Sequence, residues 1–194
     1  MDSALKNGNY KEPIPQIKSA LKTDPQNEDL LYSLGILYDH LAQTKKIICK
    51  KLLLHHKAKN IYQQILKHYP KSKKGLIGLG RIYWHKNKAS KSLSYYNQAL
   101  AITPNDAQIL NSMANVYKMS GDDKQAQQYY QKAIATSQAT YGTYFNFVRL
   151  LIRTNQKKKA QEILDHGKKL SRSQKLSKTE KEIISDLENQ IKNL

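Results

Sequence analysis

The feature that most constrains the fold of this chain is an internal repeat. The triplets Leu34-Gly35-Tyr38, Leu79-Gly80-Tyr83 and Met113-Ala114-Tyr117 share one internal spacing, and Phe147-Val148-Leu151 continues them in a degraded form. The last three triplets begin 34 residues apart. A fixed period of this length is typical of chains built from stacked supersecondary units, because one such unit cannot bury its apolar face alone. The repeat therefore predicts a solenoid.

A second set of recurring positions follows each triplet and advances by the same 34 residues. Its members are Ala58, Tyr62, Ile65 and Pro70; Ser92, Tyr96, Ala99 and Pro104; Ala126, Tyr130 and Ala133; and Ala160, Leu164 and Gly167. The small residues allow two helix axes to approach closely, and the prolines mark where a second helix ends, because Pro lacks the donor that a helix interior needs. Each unit is therefore predicted to be a helix-turn-helix hairpin.

The repeat is irregular in three places. Upstream, Gly8, Pro13, Ile17, Ala20 and Pro25 fit the second half of an earlier unit, whose first helix is reduced to Asp2–Asn7. The step from the first to the second complete unit is 45 residues, so 11 residues are inserted. The segment 42–57 contains no Pro or Gly, and we expect longer helices that form a basic spur. At the carboxyl end, Ser177 and Glu180 resemble a capping box before a terminal helix.

These positions resemble the tetratricopeptide repeat (TPR) family: the 34-residue period, the Leu-Gly-x-x-Tyr triplet, the Ala-x-x-x-Tyr-x-x-Ala run and the closing Pro. The resemblance covers nearly the whole chain. It implies an all-α fold, a right-handed α-solenoid of helix-turn-helix repeats with a C-terminal capping helix. The predicted boundaries are a partial repeat at 1–27, repeats at 28–72 (with the insertion), 73–106, 107–140 and 141–174, and the capping helix at 175–194.

The charge of the chain is strongly positive and unevenly distributed. The formal net charge is +18, and the segment 40–105 contains fourteen Lys and Arg but no Asp or Glu. Such a surface attracts phosphates, anionic lipids or acidic peptides. Composition alone is the other explanation, because 29 of the 33 basic residues are Lys, as in the proteins of an AT-rich genome. Both explanations stay open.

Other features of the composition narrow the setting. The only cysteine, Cys49, cannot form a disulfide within the chain, and no apolar run is long enough to predict a membrane span. We expect a cytoplasmic protein, with an exported protein or a segment of a larger one as the alternatives. The sequence shows no Gly-rich phosphate loop, nucleophile elbow, or His or Cys spacing typical of a metal site, and the adjacent His55 and His56 lie on different helix faces. We therefore predict no enzyme activity, no cofactor and no metal, and the oligomeric state stays open.

The family resemblance implies that the first helices of successive repeats line a peptide-binding groove. The side chains predicted to face it are mostly basic, amide-bearing or aromatic. They are Lys74, Arg81, Trp84, His85, Asn111, Asn115, Lys118, Phe145, Asn146, Arg149 and Arg153. Asn side chains pair with peptide donors and acceptors, and Lys and Arg bind carboxylates. We therefore predict an adaptor or scaffold that binds an acidic or polar peptide segment of a partner protein.

The resemblance extends to two subclasses of the family, and RNA binding is an alternative function. Asn115 and Asn146 match the carboxylate-clamp TPRs, which bind the acidic tails of chaperones, but Asn111, Leu176 and Glu180 replace the other clamp residues, so an asparagine ladder along a peptide backbone fits better. The alternative function is RNA binding by the basic surface of residues 40–105. Its aromatic side chains would stack on bases, although most of the tyrosines there occupy core positions of the repeat.

Overall fold

The computed structural model describes residues 10–172 and 177–194 of the chain. The predicted remnant helix Asp2–Asn7, with Gly8, and the clamp position Leu176 lie outside these ranges. Within them the chain forms ten α-helices and no strand, which confirms the all-α prediction. The helices are α1 Pro13–Thr23, α2 Glu28–Gln43, α3 Ile48–His68, α4 Lys73–His85, α5 Ala89–Ile102, α6 Ala107–Met119, α7 Asp123–Ile134, α8 Tyr141–Arg153, α9 Lys157–Arg172 and α10 Lys178–Lys192.

The chain divides into two compact units, Met1–Ile102 with α1 to α5 and Thr103–Leu194 with α6 to α10. In each unit consecutive helices pack as hairpins: α2 with α3 and α4 with α5 in the first, and α6 with α7 and α8 with α9 in the second. Helix α3 also packs on α4, and α7 packs on α8, so each hairpin contacts the next one in its unit. This stacking buries the apolar face that a single hairpin leaves open.

The core of the first unit is built around Tyr62 of α3. Its ring is fully buried and lies directly against two glycines. A Cβ atom added at Gly35 of α2 would lie 2.5 Å from Tyr62 Cε1, and one added at Gly78 of α4 would lie 2.4 Å from Tyr62 Cδ1. Both distances are far below van der Waals contact, so the absence of a side chain at these positions lets the three helices meet on one aromatic ring.

The core of the second unit contains the corresponding positions of the repeat. Tyr130, Ala133, Ala160 and Leu164 are all fully buried, as are Phe147 and Val148 from the degraded triplet. The terminal helix α10 packs on α8 and α9 and adds Leu187 and Ile191 to this core. It therefore covers the apolar face of the last hairpin, as a capping helix does.

Short polar residues set the ends of the helices. Asn27, Ser72 and Asp106 precede α2, α4 and α6, and each side-chain oxygen accepts a hydrogen bond from a backbone N–H of the first turn. The turn inside three of the hairpins is built on a residue with positive φ, and these residues are 34 positions apart: Asn87 (φ 53°), Gly121 (φ 81°) and Asn155 (φ 56°). Asn and Gly are the residues that adopt this left-handed conformation most easily.

The inserted residues lengthen both helices of the first complete hairpin. Helices α2 and α3 contain 16 and 21 residues, whereas α4 and α5 contain 13 and 14. The first turns of α3 are exposed: Ile48 is 72% exposed and Leu52 is 55% exposed, while Cys49 and Lys50 also face solvent. The segment is therefore helical, basic and only partly packed on the rest of its unit.

Candidate functional site

In the second unit, the polar residues predicted to line a groove lie on two first helices of hairpins, α6 and α8. Asn111, Asn115 and Lys118 are separated by four and three residues on α6, which keeps them on one side of that helix. Asn146, Arg149 and Arg153 are separated by three and four residues on α8, with the same result. We call these six residues the Asn–Arg face.

Direct contacts join the two halves of the Asn–Arg face. Asn146 Nδ2 donates a hydrogen bond to Asn111 Oδ1 over 3.3 Å. About two helical turns further along both helices, the guanidinium of Arg153 donates to the backbone carbonyl of Lys118 over 3.3 and 3.4 Å. The same guanidinium also pairs with Asp123. The face is therefore a continuous surface across α6 and α8 within this unit.

The asparagines of this face retain groups that a ligand can use. Asn115 Oδ1 accepts a hydrogen bond of 2.7 Å from the hydroxyl of Tyr130, whose pKa is raised by burial. This bond fixes the amide of Asn115 and leaves its NH2 group as a donor. In the same way, Asn146 donates one amide hydrogen to Asn111, and its side-chain carbonyl oxygen remains available as an acceptor. A peptide backbone offers both kinds of partner.

The face is also electropositive. Burial, followed by the charges of Arg153 and Arg149, lowers the pKa of Lys118. The side chain of Arg149 is exposed and makes no hydrogen bond or ion pair with any residue in the described parts of the chain. An exposed guanidinium without an internal partner is available for a carboxylate of a ligand.

A polar cavity adjoins one end of the face. It has a volume of about 400 Å³, and its lining includes Asn111. The other lining residues are Asp106, Ala107, Gln108, Gln138, Thr140 and Thr143. Amide and hydroxyl side chains of this kind hydrogen-bond to peptide groups without selecting one charge. The cavity therefore provides space next to Asn111 for a polar side chain or a turn of a bound segment.

Two residues at the edge of the predicted set have internal roles. Phe145, predicted from the sequence to face the groove, is 3% exposed and packs in the core of the second unit, beside Tyr141. We therefore leave it out of the binding face. Glu180, at a clamp position, closes the capping box with Ser177, and contact with Tyr141 and then with Ser177 lowers its pKa. It serves the capping helix.

In the first unit, α2 carries acidic residues that pair with the predicted basic groups of α4. Lys74 pairs with Asp29, and Arg81 pairs with Asp39 and donates a hydrogen bond of 2.8 Å to the hydroxyl of Tyr62. Trp84 is half-buried against His85, with 4.6 Å between the ring centroids. The basic groups of this set are therefore largely neutralised within their own unit, in contrast to Arg149.

Arg81, Asp39 and His85 belong to a largely buried polar cluster that also contains His55 and, at its exposed edge, Gln43. Asp39 Oδ1 lies 3.6 Å from His55 Nε2 and 3.4 Å from His85 Nε2. Burial alone would raise the pKa of Asp39, but contact with His85 and the charge of Arg81 lower it overall, so the carboxylate is ionised. Burial, followed by His85, lowers the pKa of His55 and favours the neutral imidazole.

The sequence alone did not reveal this cluster. The histidines have no carboxylate neighbour along the chain, because Asp39 is contributed by a different helix. One signal was present: His55 precedes Ala58, Tyr62 and Ile65 at helical spacing, so it lies on the buried face of α3. A histidine on a core face needs polar partners, and the structure supplies Asp39 and Gln43.

The aromatic side chains of the basic segment 40–105 are mostly engaged with the protein. Tyr62 and Tyr96 are buried, and the rings of Tyr83 and Tyr95 stack on each other with centroids 5.4 Å apart. Tyr69 is 40% exposed, but its hydroxyl donates to the carbonyl of Gln26. Stacking on bases needs a free ring face, so few of these side chains suit it. Among the described helices, none combines the length and the apolar character of a membrane span.

Family models match three overlapping parts of the chain. All three are described as tetratricopeptide repeat, and they match residues 29–72, 55–107 and 95–128. Together they extend over residues 29–128, about half of the 194 residues. No curated protein is significantly similar to the chain in sequence.

Solved structures of bacterial TPR proteins share the fold at low sequence identity. A TPR protein of Thermus thermophilus is 16% identical with a TM-score of 0.78, covering 97% of this chain and 94% of that one. A TPR protein of Parabacteroides merdae is 19% identical with a TM-score of 0.76, and this chain spans 97% of its own length but 66% of that protein. MamA of Desulfovibrio magneticus is 18% identical with a TM-score of 0.63, covering 90% of this chain and 93% of that one.

TPR arrays generally serve as non-enzymatic modules for protein–protein interaction. With the repeat, the helical hairpins and these matches in agreement, the chain belongs to the tetratricopeptide repeat family.

Proposed function

We propose that this protein is an adaptor or scaffold that holds an extended polar or acidic segment of a partner protein on the Asn–Arg face. The observation that carries the proposal is the position of Arg149, which is exposed, has no partner among the described residues and lies three residues from Asn146, the hydrogen-bond partner of Asn111. This arrangement places an exposed positive charge beside groups that hydrogen-bond to peptide amides.

The chemistry of the face favours a peptide over a nucleic acid. A single strand of RNA needs several basic groups along its phosphates and free aromatic faces for its bases. Arg153 of the Asn–Arg face is already paired with Asp123, and the neighbouring Phe145 is buried outside the face. An exposed guanidinium among amide side chains suits a segment with an occasional carboxylate, and the net charge of +18 steers acidic partners towards the protein.

The test compares three forms of the full chain as bait in lysate of the source organism, with and without nuclease and at low and moderate salt. The forms are the wild type, the double variant Asn146→Ala/Arg149→Glu and the control Lys124→Glu. Lys124 is exposed on α7 and is not one of the residues of the Asn–Arg face, so the control reverses a charge in the same unit. The recovered partner is then divided into synthetic peptides, and their affinities are measured by isothermal titration calorimetry.

We expect a discrete protein partner that the wild type and Lys124→Glu retain after nuclease treatment at moderate salt. Its binding peptide should bind the double variant at least about tenfold more weakly, because a hydrogen bond to a charged group contributes about 1.5–3 kcal/mol. Equal affinity for the wild type and the double variant contradicts the proposal. Recovery dominated by nucleic acid and lost with salt supports RNA binding instead.

A further inference from the structure

The buried cluster of the first unit brings three metal-ligating side chains together from three different helices. Asp39 belongs to α2, His55 to α3 and His85 to α4. One ligand atom from each, Asp39 Oδ1 and the histidine nitrogens, lies within 4.8 Å of the others. The two imidazole rings are nearly parallel, with centroids 5.0 Å apart, and the Nε2 atom of each faces Asp39.

Two of the separations, from Asp39 Oδ1 to the nitrogens of His55 and His85, are close to those of a tetrahedral metal site. Zn²⁺ binds His nitrogen and carboxylate oxygen at about 2.0–2.2 Å, which places neighbouring ligand atoms about 3.3–3.5 Å apart. The distances from Asp39 Oδ1 to His55 Nε2 and His85 Nε2 are 3.6 and 3.4 Å. Because the two rings are stacked, at least one imidazole has to rotate before both nitrogen lone pairs point at one ion. Two histidines and one carboxylate are a donor set of divalent transition metals.

The carboxylate of Asp39 is divided between two roles. Its Oδ2 atom pairs with Arg81, which in turn bonds to the Tyr62 hydroxyl, so the carboxylate is held in a fixed orientation. Its Oδ1 atom is buried and, among the described residues, has no hydrogen-bond partner. Asp39 as a whole is 2% exposed. A buried acceptor that faces two imidazole nitrogens without a hydrogen bond has the position of a metal ligand. Arg81 and Tyr62 have the position of the outer groups that orient such a ligand.

Gln43 provides a fourth group on the open side of the cluster. Its amide nitrogen lies 2.9 Å from His85 Nε2 and 3.4 Å from His55 Nε2. A half-turn of this amide puts its oxygen on the same side as the three ligand atoms. Gln43 is exposed, and the side chain of His85 is 13% exposed, so an ion can reach the cluster from solvent.

We propose that Asp39, His55 and His85 form a binding site for one divalent transition-metal ion, Zn²⁺ in the first place, with Gln43 or water as the fourth ligand. The ion would connect helices α2, α3 and α4 and offset the buried charge of Asp39. The site is separate from the Asn–Arg face, so it does not depend on the proposed peptide binding.

The test uses the full chain without a polyhistidine tag, stripped with chelator. Co²⁺ is titrated in and the visible absorption of four-coordinate Co²⁺ is recorded, followed by displacement with Zn²⁺ and by calorimetry with Zn²⁺ alone. The variants are His55→Gln and His85→Gln, which keep a polar group at each position. The control is His56→Gln: His56 is exposed and bonds to Asn60, outside the cluster. Circular dichroism verifies that each variant is folded.

We expect one Co²⁺ per chain with a four-coordinate spectrum, displaced by Zn²⁺, in the wild type and in His56→Gln. His85→Gln should weaken Zn²⁺ binding by at least about 100-fold, because loss of a ligand exceeds the about 10- to 100-fold cost of losing an outer-shell partner. Zn²⁺ should also raise the melting temperature of the wild type but not of His85→Gln. No stoichiometric binding, or equal binding by the wild type and a folded His85→Gln variant, overturns the proposal.

Discussion

The side-chain amide of Asn146 on α8 donates a hydrogen bond to Oδ1 of Asn111 on α6 over 3.3 Å. Replacing Asn146 with Asp removes this donor and puts a carboxylate three residues from Arg149, which neutralises the free guanidinium. We predict that Asn146→Asp weakens an acidic peptide ligand by about tenfold or more. The free energy of unfolding should fall by about 0.5–1.5 kcal/mol, because Asn146 is half-buried and loses its hydrogen bond to Asn111.

Calorimetry with the peptide and urea unfolding measure these two quantities. Asn189→Asp is the matched control, because Asn189 is exposed on α10 in the same unit and the charge change is identical. If both variants lose the same affinity, net charge alone explains the effect and the Asn–Arg face does not.

Gly78 is predicted to tolerate no side chain. A Cβ atom there would lie 2.4 Å from Tyr62 Cδ1, and the ring has no free space to move into because it is fully buried. Gly78→Ala should lower the free energy of unfolding by about 1–3 kcal/mol, the cost of overpacking a core. In Gly142→Ala the nearest atom is 3.6 Å away, so the helix preference for Ala should stabilise the protein by roughly 0.5–1 kcal/mol. Opposite signs in urea unfolding are the expected result.

Gly121 is predicted to be required for its backbone conformation. Its φ is 81°, which costs an ordinary L-residue roughly 1–2 kcal/mol. We expect Gly121→Ala to lower the free energy of unfolding by about this amount. Gly121→Asn should cost clearly less, because Asn occupies the equivalent turns at Asn87 and Asn155. Equal losses for the two variants would contradict this explanation.

The capping box of α10 is predicted to contribute stability that depends on pH. The Tyr141 contact, followed by the Ser177 backbone N–H, lowers the pKa of Glu180 in the folded state. The contribution is therefore complete above the ordinary glutamate pKa of about 4.3 and disappears as the pH falls through the lower folded value. Because Glu180 is only half-buried, solvent screens its contacts, and we expect its contribution to be smaller than the about 1 kcal/mol of an N-cap substitution.

The measurement is the difference in unfolding free energy between the wild type and Glu180→Gln from pH 7 to pH 3. This difference should be constant while the pH stays above the ordinary glutamate pKa of about 4.3, and it should disappear as the pH falls through the lower pKa of the folded state. Ser177→Ala is the comparison, since losing the cap should cost about 1 kcal/mol with a weaker pH dependence. A difference for Glu180→Gln that grows in acid would contradict the prediction.

The sequence predicted the core of this fold well because the repeat period records burial directly. Tyr62, Tyr130 and Leu164 recur at the expected positions, and each is fully buried. The period also placed Asn146 and Arg149 on the side of α8 away from the core. The period did not predict whether the adjacent residue Phe145 is exposed or buried. Phe145 lies at the boundary between the two sides of α8, where a small rotation of the helix decides between exposure and burial.

Pairing between hairpins was not predictable in the same way. Lys74 with Asp29 and Arg81 with Asp39 join residues more than forty positions apart, and each contact depends on the distance and rotation between two packed helices. A repeat period specifies which residues are equivalent but not which unlike residues of adjacent hairpins meet. The repeat period predicts the cluster around His55 even less well, because His55 belongs to the hairpin that contains the insertion.

The position of Tyr62 has a consequence for how the first unit opens. Its ring lies against Gly35 of α2 and Gly78 of α4, and its hydroxyl accepts a hydrogen bond from Arg81, so neither neighbouring helix can separate from α3 without exposing this ring. Backbone amides in the middle of α2, α3 and α4 should therefore exchange with deuterium at a common rate, as one cooperative opening event, while the exposed first turns of α3 exchange earlier.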